Sequence, residues 1–134
     1  MCRNAVTMRK FAVILALLLG TLPLQGCHDL FGLGACTLIV EYGVKVEVRD
    51  SVTGDLLGSE ATGTLTEGQY HETMERWDDR RQHLVGAPER AGAYRVEVTV
   101  DGYKPWILQP VIVNKGRCHV GTVHLQADMV PLGS

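Results

Sequence analysis

The side chains with most capacity for chemistry are four cysteines, five histidines and one knot of acidic residues. Asp78-Asp79 stands beside Glu75, with Glu72 and His71 upstream. Such a set could supply hard oxygen ligands to calcium. The competing reading is a solvated loop whose acids pair with Arg76, Arg80 and Arg81, and the alternation of sign favours it. The histidines His28, His71, His83, His119 and His124 are scattered. His119 adjoins Cys118, but two neighbouring ligands do not make a chelating set. His119 and His124 read as strand residues on solvent faces. There is no Gly-x-Ser-x-Gly elbow, no His-Glu-x-x-His pair and no Walker loop. The expectation is therefore a protein without catalytic residues, bound metal or cofactor. The aromatic residues Trp77, with Tyr70, and Tyr103, with Trp106, are the candidates for contact with a ligand, against a competing role in packing.

These residues need a scaffold, and the periodicity points to strands. Val44–Arg49 alternates strictly between apolar and charged, the signature of a half-buried strand. Asp50–Gly54 follows as a turn. Thr62–Thr66 predicts a second strand, Glu67-Gly68 a turn, and Gln69–Thr73 a third. Residues 72–85 are open between a helical turn and a long hairpin, and the favoured reading is a strand, a loop and a strand, with Trp77 packed at one edge. Gly86–Gly92 reads as a loop. Tyr94–Val100 is the clearest strand, apolar at even positions, and Asp101-Gly102 is a hairpin signal. Pro105 places Tyr103–Leu108 at an edge or a strand start. Val111–Val113 and Cys118–Ala127 complete the set. The apolar parity of the last segment shifts between Val120 and Val123, which predicts a bulge near Gly121. About seven short strands without a helix predict an all-β fold, a single antiparallel β-sandwich.

The first 26 residues are set apart. Arg3, Arg9 and Lys10 form a positive start, Phe11–Leu19 is apolar, and Gly20 and Pro23 interrupt it. This is the layout of a secretory signal, with an apolar run too short to span a bilayer. The leader holds three of the 13 basic residues and none of the 15 acidic ones, so the remainder has a net charge of about −5. That balance argues against nucleic acid, which needs a basic patch. It also offers no polybasic attraction to anionic lipid.

Leu24-Gln25-Gly26-Cys27 resembles the lipobox of bacterial lipoproteins, with Gln25 at a position where that residue is less usual. The alternative is a plain signal peptide cut near Gly26. The resemblance implies a diacylglycerol thioether on Cys27, cleavage before it, and acylation of the new amine by a palmitate-type chain. Each buried methylene contributes about 0.8 kcal/mol, and stable anchoring takes more than one chain. The partner so implied is the membrane, through the lipid on Cys27. His28 is not the aspartate associated with inner-membrane retention, so in a Gram-negative cell the resemblance favours the outer membrane, facing the periplasm. With Cys2 lost in the leader and Cys27 lipidated, Cys36 and Cys118 remain in a compartment where disulfides persist. The expectation is that they pair, the alternative being two buried thiols. The implied segments are a signal peptide over 1–26, a lipidated tether over 27–35, a sandwich over 36–128 and a loose tail over 129–134.

Val44–Gly54, Gly92–Val98 and Asp101–Trp106 together resemble carboxypeptidase regulatory-like domains, sandwiches of the transthyretin (prealbumin-like) type. The resemblance implies a non-catalytic module that supports a neighbour or binds an envelope protein or glycan through its end loops. That fold also includes 5-hydroxyisourate hydrolases, whose chains end in Tyr-Arg-Gly-Ser. This chain ends Pro131-Leu132-Gly133-Ser134 and lacks the Tyr-Arg.

Overall fold

The computed structural model describes residues 36–77 and 80–133. Eight strands run in chain order: β1 (Tyr42–Asp50), β2 (Thr62–Glu67), β3 (Tyr70–Thr73), β4 (Glu75–Arg76), β5 (Leu84–Pro88), β6 (Gly92–Thr99), β7 (Trp106–Val113) and β8 (Val123–Met129). They form two four-stranded sheets, β4-β5-β1-β8 and β3-β2-β6-β7. The all-β sandwich expected from the alternation is present.

The period of two sets the core. Val44, Val46 and Val48 of β1, and Tyr94, Val96 and Val98 of β6, are all fully buried. They lie on the inner faces of the two sheets. Leu65, Met74, Leu84 and Met129 fill the space between them. Gly86 is required where it stands: a Cβ there would lie 2.6 Å from Leu65 Cδ1. Gly68 takes φ +56° in the β2–β3 turn, a conformation glycine adopts without steric cost.

One pairing departs from the antiparallel expectation. β1 and β8 run parallel, in register from Val44 with Val123 to Asp50 with Met129. The entries of the two strands lie close together. Cys36 and Cys118 are disulfide-bonded with their Cα atoms 5.3 Å apart. The two chains leave this crosslink side by side, reach β1 and β8 within a few residues, and travel the same way.

Three further expectations are corrected. Gly86–Gly92 is not a loop throughout, because β5 continues to Pro88 and pairs with β1. The irregularity near Gly121 is not a bulge: Lys115 and Val120 form an isolated bridge, and β8 starts only at Val123. The register shift falls instead in the β6–β7 ladder, between Tyr94 and Val96. There Pro110, on an edge strand, has no N–H to donate. Nor are residues 129–133 loose. Met129 is fully buried in β8. Lys104 N–H donates to Val130 O at 2.8 Å, and Leu132 N–H donates to Gly102 O at 2.8 Å.

Candidate functional site

Beside the disulfide a set of polar side chains from distant segments comes together. Cys118 brings His119 against two segments far from it in sequence. Thr37 Oγ1 lies 2.9 Å from His119 Nε2, and Glu89 Oε1 lies 2.6 Å from His119 Nδ1. Glu89 also accepts from the Glu41 backbone N–H at 2.8 Å. That N–H, with His119 second, holds the Glu89 carboxyl below the usual carboxylate range. The chain of hydroxyl, imidazole and carboxylate clasps residues 37–41 to the β5–β6 connection. Of the solvated or packing role expected for His119, the packing one is found, though outside a strand, and only its adjacency to Cys118 marked it in the sequence.

Beside the clasp lies an open groove of about 420 Å³. Ile39, Val40, Tyr42, Trp77 and Val85 give it apolar walls, and Glu41, Lys45, Thr122 and His124 line the rest. β1 contributes Tyr42, and the end of β4 delivers Trp77. The two rings meet edge to face with centroids 5.7 Å apart. The Tyr42 hydroxyl donates to Glu75 Oε2 at 3.2 Å. Burial, then the Glu75 charge, raises the Tyr42 pKa. Leu38 is fully exposed, Ile39 and Val40 are about three-fifths exposed, and Trp77 is 46% exposed.

The aromatic candidates are not brought together. Trp77 lines the groove. Tyr103 lies at the far end of β1, where its hydroxyl donates to Asp50 Oδ2 at 2.6 Å. Asp50 also accepts from the Val52 and Thr53 N–H groups, which makes this a structural anchor. Trp106 is half-buried against the core. Tyr70 stacks under Arg90, whose guanidinium carbon sits 3.9 Å from the ring centroid, and its hydroxyl donates to Glu72. Burial and that carboxylate push the Tyr70 pKa up to about 12. Cys27, Asp78 and Asp79 lie outside the described residues. Of the other acids weighed for calcium, Glu72 accepts from Tyr70 and from Ala87 N–H, and Glu75 accepts from Tyr42. Among the described residues no cluster of three or more His, Cys, Asp or Glu side chains is arranged to hold a metal.

Glu47 was not legible as a special residue. Alternation assigns it to a solvent face, yet it is 7% exposed. Arg49 pairs with it, Arg81 Nη1 approaches to 2.7 Å and His83 Nε2 to 3.6 Å. Arg76, expected to pair with the local acids, instead donates to Gly58 O at 3.0 Å.

No family model matches the chain, and no curated protein matches it. Among solved structures it is similar to a candidate membrane-associated protein of unknown function from Bacteroides fragilis. The two are 20% identical, with a TM-score of 0.40, over 68% of this chain. The likeness spans 28% of that protein's chain, under a third of its length. Among the described residues no helix is long and apolar enough to cross a membrane.

Proposed function

We propose that this protein is a lipid-anchored, non-catalytic module of the cell envelope with a carboxypeptidase regulatory-like domain. An acylated Cys27 holds it to the membrane, and the sandwich offers a contact surface to an envelope protein or glycan. One observation carries the reading. A positive start, a short apolar run and Leu24-Gln25-Gly26-Cys27 stand directly ahead of a domain closed by Cys36–Cys118. Such a disulfide persists in exported proteins and is rare in reducing compartments. His28 after the anchor favours the outer membrane, with the domain in the periplasm, where the envelope has two membranes.

The non-catalytic part of the reading rests on the polar groups already described. Glu47, Asp50, Glu72 and Glu89 each accept from groups of the protein itself, and Tyr103 and Trp106 serve the sandwich. Fractionation of cells tests the anchor. Wild type is expected to stay with membranes after a carbonate wash, and Cys27→Ala to appear in the soluble fraction. Retention of Cys27→Ala on washed membranes would count against the anchor.

A further inference from the structure

We propose that the end of the sandwich carrying Leu38, Ile39, Val40 and Trp77 lies directly on the lipid bilayer, so that the domain docks on the membrane rather than hanging from it. This rests on the reading of Cys27 as the lipid anchor.

The first argument is the exposure of three consecutive apolar residues. Leu38, Ile39 and Val40 precede β1 and belong to no sheet. Their relative exposures are 103%, 59% and 58%, so none is used by the core. Trp77 extends the same surface through the groove it shares with Ile39 and Val40. Contiguous exposed apolar side chains of this kind mark a contact surface. Trp and Tyr side by side, each apolar in body and polar at one edge, suit the boundary between headgroups and acyl chains.

The second argument is where the chain leads. Only residues 28–35 separate Cys27 from Cys36, a reach of at most about 30 Å when fully extended. The Cys36–Cys118 bond and the Thr37–His119 contact fasten the entry of that segment to the domain. Leu38 therefore follows the fastening at the point where an anchored chain would arrive from the lipid. A partner protein could cover any face of the sandwich, whereas a bilayer is brought to this one by the covalent path. Lys115 shares the neighbouring groove with Leu38 and Ile39, which sets one cation beside the apolar residues. Glu89 of that groove is engaged by His119 and the Glu41 N–H.

The test uses the full-length protein purified from membranes with its native N-terminus. It is reconstituted into vesicles of phosphatidylethanolamine and phosphatidylglycerol, with acyl chains either plain or brominated near the headgroup. A Trp106→Phe variant leaves Trp77 as the sole tryptophan. Its fluorescence is expected to fall roughly twofold in brominated vesicles. Leu38→Ser/Ile39→Ser/Val40→Ser, confined to exposed positions, is expected to restore most of it while the protein still floats with the vesicles. If Trp106→Phe does not fold, wild type read against Trp77→Phe gives the same comparison. Floating protein whose Trp77 is equally bright in both lipids would overturn the docking and leave the anchor standing. Protein that does not float and carries a bare Cys27 would overturn the anchor. The face is then judged by adding that soluble protein to the same vesicles, where quenching supports docking and its absence overturns it. Shielding of Trp77 from iodide without lipid would also overturn it, in favour of a second copy on this face.

Discussion

Four carboxyl groups, those of Glu47, Asp50, Glu67 and Glu89, are held below their usual range by donors aimed at them. For Glu47 the Arg49 guanidinium leads; for Asp50 it is the Tyr103 hydroxyl. For Glu67 the Ala93 N–H leads, and for Glu89 the Glu41 N–H. A depressed folded-state pKa stabilises the fold above the unfolded value and is lost as pH falls through the folded one. Thermal melts are therefore expected to hold through neutral pH and decline once pH drops below the ordinary carboxylate range. Glu47→Gln is expected to melt lower at pH 7 and show a shallower decline in acid. A decline as steep as that of wild type would remove Glu47 from the account. The Thr37–His119–Glu89 chain has the connectivity of an activated hydroxyl, and the account assigns it to holding residues 37–41. His119→Ala is expected to speed hydrogen exchange at Glu41 and to leave hydrolysis of an activated ester at the buffer rate. Ester turnover by wild type that His119→Ala abolishes would contradict the non-catalytic reading.

At the scale of the element, β6 gives the cleanest test of register. Val96 is fully buried, whereas Arg95 points outward to pair with Glu97 at 2.5 Å. Val96→Ala is expected to cost about 1–3 kcal/mol through the void it leaves. Arg95→Ala is expected to change stability by less than about 0.5 kcal/mol, as is usual for surface substitutions. Equal losses in denaturant melts would mean that the inner and outer faces are misassigned. β1 and β6 were legible because alternation is a local property of the chain, written into consecutive residues. The β2–β3 turn was legible for the same reason. The parallel β1–β8 pair was not, since it joins residues as distant as Val44 and Val123, and local alternation carries no strand direction. Only the start of β5 was legible, because Gly86, Ala87 and Pro88 resemble loop residues, although Gly86 is there to clear Leu65. At the candidate site, the sequence showed Trp77 as an edge aromatic but could not show Tyr42 or Val40 beside it. It also left Glu47 among the solvated charges, because Arg81 reaches it from a distant segment.

At the scale of the whole molecule, the Cys36–Cys118 crosslink ties distant segments together. The disulfide closes most of the domain into one loop and ties the entry of β1 to that of β8. Removing it by Cys118→Ser is expected to cost about 2–5 kcal/mol. Identical melting of oxidised and reduced wild type would show that the bond contributes nothing. The apolar residues 38–40, which follow Cys36 closely in the chain, are exposed. In the proposed reading, lipid on Cys27 holds this domain to the membrane. Mass spectrometry of the N-terminal peptide of the mature protein from native membranes tests this most directly. The account predicts a peptide beginning at Cys27 with a diacylglyceryl group on sulfur and a fatty acyl group on the amine. A peptide beginning at an unmodified residue would contradict it.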